Sequence, residues 1–207
     1  MKKASRVVKG TYLLTALWFL GYYSLHFSWY NWGLAAGGLL LFPACSLCRR
    51  LTGIRSWHTV EFVVYGYALL AYGLGECGHF YYRIPGYDKI MHALSGVVSV
   101  CLAWVVFYRL KPGHGAAKED APLAILFCLM AAMATAGLWE IGEYILSQLT
   151  GMDVQKTVSQ GIHDTMKDMM VCLGGTLLCI PCMLRFYRTA PDTAWKNGGK
   201  LPEENSV

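Results

Sequence analysis

The run PLAILFCLMAAMATAGLWEIGE, Pro122 to Glu143, decides the fold, because it carries no charge until Glu140. About 20 apolar residues in a helix cross the ~30 Å of a bilayer's hydrocarbon. Pro122 suits a first helical turn, since its missing N–H has no partner to lose there. Glu140 lies 18 residues further on, hence ~27 Å along a helix and close to the opposite membrane face. Glu143 follows three residues later, so the two carboxylates are expected to share a face. A carboxylate at membrane depth is costly unless it is paired, protonated or bound to a cation. Two of them need a reason.

Composition agrees with a membrane setting. The chain has 207 residues, 55% hydrophobic and 15% charged, with a mean hydropathy of +0.36, which is too apolar for an ordinary soluble domain. Apolar runs recur at roughly 11–30, 33–48, 58–79, 88–110, 122–147 and 164–184. The prediction is therefore an all-α polytopic bundle of about six transmembrane helices, occupying 1–207 as one membrane-embedded domain.

With the N-terminus inside, the inner segments collect Lys2, Lys3, Arg6, Lys9, Arg49, Arg50, Arg55, Arg109, Lys111, Lys118, Arg185, Arg188, Lys196 and Lys200. That is 14 of the 18 Lys and Arg. The outer segments keep Arg83, Lys89, Lys156 and Lys167, a bias that places both termini in the cytoplasm. The basic start and apolar core resemble a signal peptide, but the run is long and lacks a small-x-small cleavage site, so a retained first span is expected. The net charge of +5 does not indicate nucleic acid, since no basic-aromatic strip or groove-reading motif accompanies it.

In chain order, Trp29, Tyr30 and Trp32 form an aromatic cluster suited to a headgroup layer, where span one is expected to exit. Gly33, Gly37 and Gly38 give span two small residues for close helix approach. Span three opens on His58 and Glu61, an interfacial pair whose charges can reach water. Its outer end carries Glu76 and His79, one turn apart, candidates for lining the same cavity as the later acids. Span four begins Tyr87-Asp88-Lys89-Ile90-Met91-His92, with Asp88 and His92 on one face and His92 ~6 Å deeper. Span six begins His163-Asp164-Thr165-Met166-Lys167-Asp168; His163 is a further candidate lining residue. Asp164 alone reads as a helix cap, whereas Asp168 lies a turn deeper. The outer loop 148–162, with Gly151, Met152, Asp153 and Gln155, is a candidate lid.

Topology then gathers Asp88/His92, Glu140/Glu143 and Asp164/Asp168 at one depth in the outer third of the bilayer. Five carboxylates and an imidazole cannot all stay charged and unpaired there. Lys89 and Lys167 offset part of the charge, and a divalent metal offsets more. Oxygen ligands with one His suit Zn, Mn, Fe, Mg or Ca, and bundles hold dimetal centres with related Glu and Glu-x-x-His ligands. A metal-free proton-sharing network and a wet vestibule are the competing readings. Cys45-x-x-Cys48 and Cys179-x-x-Cys182, both at inner span ends, offer a four-thiolate alternative. Cys is equally a small packing residue.

The order Asp88-Lys89-x-x-His92, Glu140-x-x-Glu143, then Asp164-x-x-x-Asp168 before a Gly-Gly span resembles the VanZ-like membrane proteins. It is also similar to uncharacterised six-span bacterial proteins with the same three motifs. The likeness covers about residues 80 to 180. It implies a multi-pass bacterial plasma-membrane protein, and the VanZ group is linked with teicoplanin resistance. The usual pattern has Gln after the first Glu and Asn after the first Asp. Acids stand at both positions here, which weakens a glycopeptide-related role and strengthens the cation reading.

The leading expectation is an outward-facing metal site acting on a membrane lipid or lipid-linked envelope precursor, with bound water as nucleophile and Glu140 or Glu143 as candidate base. A cation- or proton-coupled transporter using the same acids, and a scaffold without chemistry, are the rivals. A polar track from the outer acids to His58 and Glu61 would favour transport. A sealed inner half would favour an enzyme.

Overall fold

The structure, a computed structural model, describes residues 1–54, 57–111, 116–154 and 161–190. Arg55, Gln155, Lys156, Lys196 and Lys200, together with part of the candidate lid, lie outside the described residues. Among the described residues every regular element is helical.

Helix α1 (Lys2–Leu25) is followed by α2 (Trp29–Gly38), α3 (Leu41–Thr52) and α4 (Trp57–Ala68). A π-helical segment, Leu69–Cys77, continues α4, and α5 (Phe80–Arg83) is a single turn. Three long helices complete the chain: α6 (Tyr87–Leu110), α7 (Ala121–Thr150) and α8 (Ile162–Thr189). By length and apolar composition, four helical stretches are able to cross a membrane: Trp29–Thr52, Tyr87–Leu110, Lys118–Thr150 and Ile162–Thr189. These are the features of a helical membrane protein.

Boundaries differ from the sequence reading at the first hairpin. Phe27 takes a left-handed φ of 52°, which ends α1 and puts Trp29, Tyr30 and Trp32 on α2. The Trp29–Thr52 stretch is also broken at Leu39–Leu40. Pro43 has no N–H to give to the Leu39 carbonyl, which accepts from the Phe42 N–H at 3.2 Å instead, and the Gly38 carbonyl accepts from the Tyr12 hydroxyl at 2.8 Å. Tyr72 holds the other side of the break, accepting from the Gly38 N–H at 3.2 Å. Each such bond is worth about 1 kcal/mol.

The helices pack in two groups. In the first, α1 lies along α4, with Tyr12, Tyr65, Trp57 and Val60 buried between α1, α3 and α4. Near one end of this group Glu61 is buried and satisfied. It accepts from Ser5 Oγ at 3.0 Å and from Lys9 Nζ at 3.1 Å, with His58 Nδ1 at 3.4 Å.

The second group is α6, α7 and α8, around Val100, Phe107, Cys128, Met183 and Tyr187. Helix α7 presents Ala124, Cys128, Ala132 and Ala136 to it at four-residue spacing, a stripe of small side chains that lets helices approach closely. The closest approach is between α6 and α8. A Cβ at Gly96 would strike the Cys172 carbonyl, and one at Gly175 would strike the Ala93 carbonyl. Those two glycines fix the crossing about two to three turns from the first-turn acids of both helices, and so position the site.

Candidate functional site

Helices α6 and α8 start at the same end of the bundle, and α7 finishes there. Asp88 and Asp164 stand in the first turns of α6 and α8, where the N-terminal helix dipole favours a carboxylate. Between them lies Lys89. Its Nζ donates to Asp164 Oδ1 and to Asp168 Oδ1, both at 2.6 Å, and to Asp88 Oδ2 at 3.2 Å. Asp164 and Asp168 are only 4% and 2% exposed, so Lys89 links two buried carboxylates on a helix 75 and 79 residues away in the chain. The sequence reading gave this lysine a partial, peripheral role. The structure makes it the hub of the cluster.

His92 comes next, a turn deeper than Asp88. Its Nε2 lies 3.5 Å from Asp88 Oδ1 and 3.6 Å from Asp168 Oδ1. Ser95 Oγ donates to the His92 carbonyl at 2.7 Å, tying the local turn. One ligand atom each from Asp88, His92 and Asp168 falls within a 4.8 Å span, the one such group of three among the described residues. The Cys45/Cys48 and Cys179/Cys182 thiols form no comparable group, and all four are free.

The cluster opens into a cavity of ≈ 270 Å³ between the two helix groups. Asp88, His92, Asp164 and Asp168 line it, as do Glu143 from α7 and Glu76 from the π segment. Glu143 accepts from the Trp139 indole N–H at 2.7 Å. Glu140 is not in that lining. It is 5% exposed and continues the buried stripe that runs through Ala132 and Ala136. Three residues on a helix differ by about 60° around the axis, enough to send one acid into the packed interface and the other to the cavity.

Glu76 and His79 also part company. The N–H of Gly78 bonds back to the Gly73 carbonyl at 3.0 Å, a five-residue step, and His79 then takes a left-handed φ of 59°. His79 Nε2 meets the Tyr23 hydroxyl at 3.0 Å on α1, while Glu76 lines the cavity. His163 is exposed, as is Lys167. Tyr67, Tyr81 and Tyr82 join the lining, the last two from an aromatic run, Phe80-Tyr81-Tyr82.

Along α6 the cavity runs from Asp88 to Leu102, about 21 Å at 1.5 Å per residue. Its deep end is walled by Leu41, Val64, Ala68, Val98 and Leu102. Glu61 is absent from the lining. The cavity is therefore acidic at one end and mostly apolar at the other, where Ser99 also lines it.

A bundle of long apolar helices with an acidic cavity at one end defines a helical membrane protein. The chain matches the family described as "Predicted membrane protein (DUF2238)" over residues 6–189, and it belongs to that family. It is 28% identical over 103 residues to an uncharacterised protein of Thermotoga maritima, a match covering 49% of this chain and 50% of that protein. The chain thus spans about half the length of that curated relative. No solved structure matches the chain.

Proposed function

We propose that the protein is a six-span bacterial plasma-membrane protein, with both termini cytoplasmic, whose outward-facing cavity binds one divalent metal. Asp88, His92 and Asp168 are the ligands, and the convergence of their three donor atoms within 4.8 Å is the observation that carries the reading. Charge supports it. Lys89 touches three aspartates, so one ammonium is shared among three carboxylates in a partly buried site. A divalent cation with a neutral imidazole ligand adds positive charge where they converge. The donor set of carboxylate oxygen and one imidazole nitrogen suits Zn, Mn or Fe better than Ca, with Mg also open to it.

A metal held there supplies Lewis acidity and an activated water. Glu143, across the same cavity, is placed to take a proton, and the substrate class is a lipid or lipid-linked envelope precursor whose polar head reaches this depth. The apolar inner end of the cavity, at Leu41, Val64, Val98 and Leu102, supports a closed reaction chamber over a transport path. The VanZ-like spacing of Asp88, Lys89, His92, Asp164 and Asp168 belongs to the same proposal. A second reading is favoured by the Lys89 bonds themselves: the ion pairs alone hold α6 to α8, with no metal and with a shared proton making up the charge.

Elemental mass spectrometry of the detergent-purified protein separates the two. The metal reading expects near one equivalent in the wild type and loss in His92→Ala and Asp168→Asn, with the fold retained. Absence of metal after Mn, Zn, Mg and Ca have each been offered would overturn it.

A further inference from the structure

Below the acidic cluster the cavity continues along α6, past the groups that any chemistry there would use. His92 and Leu102, which both line it, are ten residues apart, about 15 Å of helix. Half of a bilayer's ~30 Å of hydrocarbon is the same depth. The lower cavity is thus as deep as one leaflet is thick, with the carboxylates at its polar end.

Its walls come from both helix groups: Leu41 on α3, Val64 and Ala68 on α4, Val98 and Leu102 on α6. Ser95 and Ser99 add hydroxyls on the α6 side, of which Ser95 is engaged within the protein by the His92 carbonyl. The floor is closed. Leu41, Val64, Ala68 and Leu102 also pack against the buried cluster of Tyr12, Trp57, Val60 and Tyr65, and so does Val105, almost a turn further along α6. The cavity therefore stops on a packed core. A space of ≈ 270 Å³ drawn out over about 21 Å of helix is long and narrow, with room for one chain and not for two. Water gains little between such walls, because it needs two to four polar partners, whereas each methylene that leaves water for them is stabilised. A polyprenyl chain fits worse than an unbranched one: it carries a methyl branch on every isoprene unit, and its length exceeds a closed space one leaflet deep.

We propose that the lower cavity holds one unbranched acyl chain of the substrate, so that the molecule acted on is an acyl lipid and not a polyprenyl-linked precursor. The chain runs down α6 to Leu102, its head lies at the Asp88/His92/Asp168 end, and Ala68, Val98 and Leu102 set the length that fits. This narrows the substrate class of the proposed function and rests on its lipid reading, but it needs no metal.

The test uses the purified full-length protein in a sterol-based detergent, which brings no linear chain of its own, and a monoacylglycerol whose myristoyl chain ends in a diazirine. After illumination, peptide mass spectrometry locates the labelled side chains. Chain-end adducts are expected at Leu41, Val64, Val98 or Leu102. Ala68→Phe on one wall and Val98→Phe on the other are expected to lower that yield by roughly tenfold, the scale of overpacking a filled space, with the melting temperature at the wild-type value. The wild-type adduct map stands whether or not a variant keeps its fold. Adducts confined to exposed side chains such as Leu126 and Leu178 overturn the proposal, as does an unchanged yield in both phenylalanine variants. Unlabelled monomyristoylglycerol is expected to compete and a polyprenyl phosphate is not; equal competition by the polyprenyl phosphate overturns the acyl assignment. Metal content is read on the same samples. Deep adducts without metal remove the metal reading alone, and metal without deep adducts removes this proposal alone.

Discussion

Lys89 on α6 and Asp168 on α8 are joined at 2.6 Å, two turns or so from the place where Gly96 and Gly175 bring the same helices into backbone contact. The ion pair and the glycine crossing are therefore one construction. The glycines set the helix separation, and that separation lets a lysine in the first turn of one helix reach carboxylates in the first two turns of the other.

Replacing Lys89 with Met is expected to destabilise the protein by about 3 kcal/mol, the low end for removing one partner of a buried ion pair. Asp164 and Asp168 remain almost fully buried while their common counter-charge is gone. Adding Asp164→Asn removes one of the stranded charges and is expected to recover part of the loss. Thermal unfolding in a fixed detergent, followed by monodispersity, reads both steps. Equal melting temperatures for wild type and Lys89→Met would show that the three bonds contribute nothing.

The glycine crossing makes a sharper pair of expectations. Gly175→Ala forces a Cβ onto the Ala93 carbonyl and is expected to cost roughly 1–3 kcal/mol, as overpacking does. Gly174→Ala meets nothing within 4 Å and is expected to be neutral or to gain up to about 1 kcal/mol from helix propensity. The two variants differ by one position in the chain. A melting-temperature gap in the opposite order would mean that the crossing is not where the helices are held.

Helices were legible in the sequence because each apolar run is longer than a soluble helix needs, and because Pro122 and the glycine-rich breaks punctuate the runs. That the acids gather at one end of the bundle followed from counting residues along those runs. What the sequence could not supply was rotation. Glu140 and Glu143 differ by about 60° around α7, and whether that step crosses from interface to cavity depends on where α6 and α8 pack. The π segment at Leu69–Cys77 was hidden for a related reason: its five-residue bonding leaves no composition signal, yet it separates Glu76 from His79. Lys89 was visible in the Asp-Lys-x-x-His motif, but its partners lie 75 and 79 residues on, a distance that only the α6–α8 crossing closes.

Six spans with both termini inside carry a direct expectation. A fluorescent protein fused to the C-terminus should fold and fluoresce, while alkaline phosphatase inserted after Met152, in the outer loop, should be active. In the proposed topology the basic clusters at Arg49 and Arg50, and at Arg185 and Arg188, would lie inside and hold the orientation. Phosphatase activity from the C-terminal fusion would reverse it, and the acidic cavity would then face the cytoplasm.

Lys89 and His92 meet on one atom, Asp168 Oδ1, which lies 2.6 Å from Lys89 Nζ and 3.6 Å from His92 Nε2. That shared atom lets stability report on metal. Lys89→Met removes the competing ammonium from three aspartates, two of which, Asp88 and Asp168, lie beside His92. In chelator this variant should be at its least stable. Adding a divalent cation should raise its melting temperature more than it raises that of the wild type, because binding to the folded form alone contributes about 2.7 kcal/mol at a hundredfold excess over Kd. The gain should vanish in Lys89→Met/His92→Ala, where a ligand is gone while the three carboxylates are retained. If monovalent salt at matched ionic strength restores the variant equally well, the cluster is screened and not coordinated, and the ion-pair reading is the one that stands.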